Sequence, residues 1–127
     1  MEPKFILAVA AGGACGSVAR YLVAIGSSKL FGSSFPWGTL IINVTGSALI
    51  GVFVGLFAVK WDVPQAARIF LTVGICGGYT TFSTFSLDAW YLIERGETAA
   101  SAAYMLASVV LSLAALVGAL HAVRALS

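Results

Sequence analysis

The stretch Gly74–Ser86, GICGGYTTFSTFS, decides how this chain can fold. It lies in a segment apolar enough to cross a membrane, yet it holds three glycines, five serine or threonine hydroxyls and two phenylalanines. Glycine costs about 1 kcal/mol relative to alanine inside a helix, and threonine is a good N-cap. We therefore predict that Gly77-Gly78, followed by Tyr79-Thr80-Thr81, interrupts a helix. The simpler alternative is a kink capped by Thr80 or Thr81.

Around this stretch the composition is that of a membrane protein, with 60% hydrophobic and only 9% charged residues. Soluble domains carry about 25% charged residues. A spanning helix needs about 20 mainly apolar residues, and four segments meet that requirement. We predict an all-α integral membrane protein with a single domain over residues 1–127. Its four transmembrane helices cover about 4–28, 36–59, 67–94 and 98–124, and the third is broken.

A break inside a membrane has chemical consequences. It frees carbonyls on the first half and N–H groups on the second, and these need protein, water or an ion as partners. Freed carbonyls can coordinate a cation, whereas N–H groups at a new helix start favour an anion. Phe82 and Phe85 share one face of the second half, among hydroxyls. Because aromatic ring edges are positive, these rings can line an anion path, although packing against lipid or core is the alternative.

Polar residues form two stripes in which the members are four positions apart. The second helix carries Thr39, Asn43 and Ser47, and the fourth carries Tyr104, Ser108 and Ser112. Polar side chains are costly in a bilayer and usually face the bundle interior or water. Together the stripes favour a polar pathway. Interhelical hydrogen bonds, or bonds from the serines to their own backbone, are the alternatives.

Small residues and one cation complete the pattern of the first two helices. The spacings Gly12-x-x-x-Gly16 and Ser47-x-x-x-Gly51-x-x-x-Gly55 predict faces where helices pack closely. Arg20 lies toward the end of the first helix. It can extend to the membrane interface, or it can hold a water-filled mouth positive and attract anions, and the sequence leaves both roles open.

The acidic residues restrict the possible kinds of transport. No aspartate or glutamate lies deep in the first, second or fourth helix, although proton-driven carriers generally use a buried carboxylate. The runner-up function is therefore a small multidrug or cation antiporter with Asp88 or Glu94 as its proton site. A packing subunit without transport activity of its own is a third possibility.

Catalytic groups are also scarce. His121 is the one histidine, and the sequence has neither a cysteine–histidine cluster typical of metal sites nor a phosphate-binding loop. We predict that the protein is not an enzyme and has no nucleic-acid partner.

The charges flanking the four helices are almost balanced between the two sides of the membrane. One side holds Lys4, Lys60, Arg68 and Arg124, and the other holds Arg20, Lys29 and Arg95. Because an excess of cationic residues on the cytoplasmic side sets orientation, this balance predicts insertion both ways. Such a chain can form antiparallel homodimers.

The motifs of the first three helices resemble those of the Fluc fluoride channels, also called the CrcB family. The resemblance covers three of the four helices, in order, and rests on Gly12-Gly13-x-x-Gly16-x-x-x-Arg20-Tyr21, Gly38-Thr39-Leu40-x-x-Asn43-x-x-Gly46-x-x-x-x-Gly51 and Gly74-x-x-Gly77-Gly78-x-Thr80-Thr81-Phe82-Ser83-Thr84-Phe85. It implies an antiparallel, dual-topology homodimer with two fluoride pores in the bacterial cytoplasmic (inner) membrane. Its role would be passive fluoride export, which gives fluoride resistance.

The resemblance also implies a role for each candidate site residue. Phe82 and Phe85 would flank the pores, and Asn43 would donate its amide to fluoride in a vestibule made positive by Arg20. The remaining pathway residues would be Thr39, Tyr104, Ser108 and Ser112. Backbone carbonyls of Gly77 and Thr80 from both subunits would hold a structural sodium ion on the twofold axis.

Overall fold

A computed structural model describes residues 2–59 and 62–127. Lys60, one of the cationic residues that flank the predicted helices, lies outside the described residues. Throughout the described part the regular secondary structure is helical. Its elements are α1 (Pro3–Phe31), α2 (Trp37–Val59), α3 (Gln65–Ile69), a π-helix (Phe70–Cys76), α4 (Gly77–Tyr79), α5 (Phe82–Glu94) and α6 (Thr98–Leu126).

Among the described residues, three helices are long and apolar enough to cross a membrane, namely α1, α2 and α6. The expectation of an all-α membrane protein is confirmed to that extent. α1 continues past its predicted end at residue 28 and stops at Gly32, which adopts a φ of 75° that other residues rarely adopt. The N–H of Gly32 donates to the carbonyl oxygen of Ser28 at 2.9 Å, which closes the helix.

The predicted third helix is a series of short pieces. From Gln65 the chain passes through α3, the π-helix and α4, then runs extended through Thr80 and Thr81, and resumes as α5. A π-helix has a wider turn than an α-helix and is rare, often occurring beside functional sites. No feature of the sequence predicted it.

Of the predicted interruption, Gly77-Gly78 followed by Tyr79-Thr80-Thr81, only the two threonines form the break, and the glycines stay helical. Gly77 has helical angles, φ −64° and ψ −37°. Thr80 (φ −78°, ψ 159°) and Thr81 (φ −150°, ψ 120°) are extended. The predicted cap is confirmed at Thr81, whose hydroxyl accepts a hydrogen bond from the Thr84 N–H at 3.2 Å.

The glycines of this segment serve close packing against α1. A Cβ built on Gly74 would lie 2.8 Å from the Cα of Gly12, and one on Gly78 would lie 2.7 Å from the carbonyl oxygen of Gly13. Real Cβ atoms do not approach backbone this closely. The glycines therefore let two backbones touch, as small residues do between membrane helices.

The other long contact runs between α2 and α6. A Cβ on Gly51 would lie 3.2 Å from the Cβ of Ala119, and one on Gly55 would lie 3.1 Å from Val123. Near the other end of these helices a small core of buried side chains joins α2, α5 and α6, and consists of Leu40, Ala89, Leu92 and Tyr104. These contacts hold α2 and α6 beside the break.

Candidate functional site

A cavity of about 360 Å³ lies where α2 and α6 face the break, and we name it the break cavity. Its wall combines both sides of the break with polar residues of α2 and α6. Seven of the ten predicted site residues line it, namely Asn43, Gly77, Thr80, Phe82, Phe85, Ser108 and Ser112. None of the residues lining it carries an acidic or cationic side chain.

Asn43 makes a reciprocal pair of hydrogen bonds with the backbone of Thr81. The Thr81 N–H donates to Asn43 Oδ1 at 2.8 Å, and Asn43 Nδ2 donates to the Thr81 carbonyl oxygen at 3.0 Å. The side-chain amide thus takes the place of a neighbouring peptide group. Because an asparagine amide has two N–H donors, one donor remains for another partner.

Three carbonyls at the break have no donor among the described residues, namely those of Gly77, Tyr79 and Thr80, and two of these residues, Gly77 and Thr80, line the break cavity. The Cys76 oxygen, in contrast, accepts from the N–H and the hydroxyl of Thr80, each at 3.0 Å. The Gly78 oxygen accepts from Arg20 Nε at 3.2 Å. Oxygen atoms are the ligands that hard cations such as Na⁺ and Ca²⁺ take, so this pair is chemically suited to one.

Side-chain metal ligands are not gathered anywhere in the described part of the chain. There is no group of three or more histidine, cysteine, aspartate or glutamate residues that could hold a metal ion. A cation at the break would therefore depend on backbone oxygens.

The hydroxyls of Ser108 and Ser112 are buried and have no hydrogen-bond partner among the described residues. Other hydroxyls in these helices do bond their own backbone, as when Thr72 donates to the Arg68 oxygen at 2.8 Å and Ser86 to the Phe82 oxygen at 3.0 Å. The alternative of a bond to their own backbone is therefore wrong for the two serines. A buried unsatisfied polar group costs about 1–3 kcal/mol, which a ligand in the cavity can relieve.

A row of aromatic rings leads away from the break cavity. Ring centroids are 5.4 Å apart between Phe82 and Phe85, 5.2 Å between Phe85 and Tyr104, and 5.6 Å between Tyr104 and Phe35. The Tyr104 and Phe35 rings meet edge to face at 86°. Phe82, at the outer end of the row, is 78% exposed in the single chain.

Tyr104, which belongs to that row, and Thr39 lie outside the lining of the break cavity. Tyr104 is fully buried, and its hydroxyl donates to Asp88 Oδ2 at 3.2 Å. Thr39 lines a second cavity, of about 220 Å³, together with Asp88 and Arg95. Tyr104 therefore lies apart from the two serines of its predicted stripe, which face the break cavity.

Arg20 lines neither of these two cavities. It is half-buried, and its side chain bonds the Gly78 carbonyl near the end of α4. A cation at the carbonyl end of a helix satisfies unpaired oxygens and complements the helix dipole. The sequence did not predict this contact.

Comparison with known families identifies the family of this chain. The family described as CrcB-like protein, Camphor Resistance (CrcB), matches residues 7–120. The chain belongs to the CrcB-like family. This confirms the resemblance found in the motifs.

Relatives of this CrcB-like chain carry a functional name. A Nitrobacter winogradskyi protein named fluoride-specific ion channel FluC is 73% identical over 124 residues, which cover 98% of each chain. Nitrobacter hamburgensis FluC 1 is 70% identical and covers 99% of this chain and 100% of its own length. A Rhodospirillum centenum FluC is 50% identical over 95% of this chain and 96% of its own. The relatives are named as channels, and the prediction that the chain is not an enzyme is confirmed.

Several residues in or beside the break cavity were not among the predicted site residues. Cys76 and Thr72 line the break cavity from the π-helix, and Thr81 is bound by Asn43. No local signal marks the first two, because the wider turn that presents them was not expected. Asn43 had a signal, since a membrane asparagine opposite a broken helix is well suited to bind the unpaired backbone there.

Proposed function

We propose that this chain is a fluoride channel that lets fluoride leave a bacterial cell passively through the cytoplasmic membrane. The main support is the pair of buried, unpartnered hydroxyls of Ser108 and Ser112 at the wall of the break cavity. Relatives at 50–73% identity are named fluoride-specific ion channels, and the chain covers at least 95% of those three.

The chemistry of the cavity suits a small, strongly hydrated anion. A pore must replace the hydrogen bonds of water, and several moderate sites allow the ion both to enter and to leave. The serine hydroxyls, the remaining N–H of Asn43 and the ring edges of Phe82 and Phe85 supply such sites in sequence. Because no side chain in the wall is cationic, none of these donors forms an ion pair that would trap the anion.

The broken segment is proposed as the fourth membrane crossing. No charged residue lies between Ile69 and Leu87, while Arg68 precedes this stretch and Asp88 follows it. The extended residues are then tolerated in the membrane, because Asn43 binds the backbone of Thr81 and Thr80 lines the break cavity.

An antiparallel homodimer is proposed because the single chain leaves polar groups of the break uncovered. Ser83, Ser86 and Gly77 are exposed, and a Cβ built on Gly77 would meet no atom closer than 3.8 Å. Lipid provides no hydrogen bonds for such a face, whereas a second copy does. Reporters fused to the C-terminus are expected to be found on both sides of the membrane. A single orientation would contradict the dual topology.

A sodium ion at the dimer axis is part of this proposal. The free carbonyls of Gly77 and Thr80 supply two oxygens, and a twofold axis would bring four together. When bound, the ion supplies a fixed positive charge and joins the two subunits. The residues of this chain hold the oxygens in place through the bonds of Thr80 to the Cys76 carbonyl.

The deciding experiment measures fluoride efflux from liposomes that contain the purified protein, with a fluoride electrode. Wild-type protein is expected to release fluoride along its gradient, without a pH gradient. The double variant Ser108→Ala/Ser112→Ala is expected to slow efflux by about tenfold or more, because each lost donor is worth about 1 kcal/mol.

The matched control is Ser101→Ala, on the same helix. Ser101 is also buried, but its hydroxyl already donates to the Ala89 oxygen at 2.8 Å. This variant should lose stability and keep its rate of efflux. Absence of efflux from wild-type protein would refute the channel. Transport that requires a pH gradient and is lost on neutralising Asp88 or Glu94 would instead support the antiporter.

A further inference from the structure

The contact between Asn43 and Thr81 fixes more than the distance between α2 and the break. A peptide group is planar and trans, so its N–H and its C=O point in opposite directions. The Thr81 N–H and the Thr80 C=O belong to the same peptide group. By drawing that N–H to Asn43 Oδ1 at 2.8 Å, α2 turns the Thr80 carbonyl away from itself.

Thr80, the residue before this peptide group, is held by the preceding helix. Thr80 directs both its N–H and its hydroxyl to the Cys76 oxygen, each at 3.0 Å. The extended peptide group between Thr80 and Thr81 makes no helical hydrogen bond, because its N–H goes to Asn43. Asn43 is thus the side chain that decides where the carbonyl between them points.

We propose that Asn43 is a positioning residue for a cation, because it aims the Thr80 carbonyl at the site shared with Gly77. This inference rests on the cation part of the proposed function. It assigns Asn43 a second task besides its remaining donor on the anion path. One amide then connects the two ion sites, with its oxygen on the peptide group of the cation ligand and a free N–H at the break cavity.

A simpler interpretation is that Asn43 only ties α2 to the broken segment. Thr45 provides a matched control for it. Its hydroxyl lies 2.9 Å from the Tyr79 hydroxyl, so it also joins α2 to the edge of the break. That bond joins two side chains and leaves the orientation of the peptide group after Thr80 untouched.

The test measures thermal unfolding of the purified full-length protein in detergent, in sodium-free buffer to which NaCl is added. Wild-type protein is expected to unfold at higher temperature as sodium rises, with a half-maximal concentration that reports affinity. Asn43→Leu has nearly the same shape without hydrogen-bonding groups. It should need about 10–100-fold more sodium, the usual cost of losing a residue that orients a metal ligand. Thr45→Val should need the wild-type concentration.

Hydrogen exchange at the Thr81 amide gives a second readout. The amide should be protected in wild-type protein and in Thr45→Val, and should exchange faster in Asn43→Leu. If Asn43→Leu does not fold, Asn43→Ser takes its place, because it leaves room for water beside Thr81 and carries the same expected loss.

The outcomes separate this inference from the proposal beneath it. Wild-type protein whose unfolding ignores sodium would overturn the cation site itself. A sodium-dependent wild type with an equally sodium-sensitive Asn43→Leu would overturn the positioning role and leave the channel proposal standing. An equal loss of affinity in Thr45→Val would show that any bond between α2 and the break suffices, and would also overturn it.

Discussion

The two sides of the break serve different purposes. On the first side, the backbone of α1 packs directly against Gly74 and Gly78, and Cys76 is buried. On the second side, Phe82 and Ser83 are exposed in the single chain. The first side therefore determines how the chain packs, and the second leaves groups for a partner or an ion. Small and polar residues in one stretch need not share one purpose.

The largest expected effect separates two adjacent glycines. Gly78→Ala should lower the free energy of unfolding by about 3 kcal/mol or more, because its Cβ would lie 2.7 Å from the Gly13 carbonyl, a backbone atom that cannot move aside. Gly77→Ala should leave the single chain folded, since it meets no atom closer than 3.8 Å. Thermal unfolding and size-exclusion profiles of both variants measure this. Equal losses would erase the contrast between packed and open glycines.

A smaller effect is expected where Arg20 binds the first side. Arg20→Met keeps the apolar stem and removes the hydrogen bond to the Gly78 oxygen. Because hydrogen bonds from charged groups contribute about 1.5–3 kcal/mol, unfolding should become easier by that amount. Denaturation in detergent tests it, with Lys29→Met as the control near the end of the same helix. An unchanged stability would mean that Arg20 does not support the break.

The second side should respond in rate rather than in stability. Phe82→Ile removes an exposed ring, and fluoride efflux should fall by about tenfold, a loss of about 1.4 kcal/mol at the barrier, while the fold persists. Phe85→Ile should slow efflux as well, with an added loss of stability because Phe85 packs on Tyr104. Wild-type rates in both variants would remove the rings from the pathway.

The smallest effect concerns the cap of α5. Thr81→Ala removes the acceptor for the Thr84 N–H but keeps the backbone that Asn43 binds. The expected cost is about 1 kcal/mol, typical of a lost N-cap. The measurement is again thermal unfolding, with Thr84→Ala as a control that keeps the cap. A cost near that of Gly78→Ala would mean that both sides of the break support the fold equally.

The sequence allowed good prediction of features that depend on neighbours along the chain. Apolar length predicted α1, α2 and α6, the spacing of Gly12 and Gly16 predicted a packing face, and the chemistry of threonine predicted the cap at Thr81. The sequence did not narrow the break to Thr80 and Thr81, because close contact with α1 outweighs the helix-weakening tendency of Gly78. That contact joins residues far apart in sequence.

The candidate site follows the same division. Residue types and spacing predicted most of the wall of the break cavity, including Ser108 and Ser112. The absence of partners for these hydroxyls depends on what surrounds them in space, which no spacing can show. Similarly, the bonds of Asn43 reach Thr81 across 38 positions of the chain.

The contacts that bind Thr81 and Gly78 show which parts of the chain determine the conformation of the break. Asn43 and Arg20 both bind main-chain atoms of the broken segment, and α1 meets that segment through glycine backbone. The shape of the break therefore depends on contacts with α1 and α2, and the broken stretch alone does not determine it. A synthetic peptide of residues 65–94, placed in a bilayer by itself, should straighten through Thr80 into one continuous helix. Grafting the stretch into another protein would likewise transfer its sequence without its broken conformation.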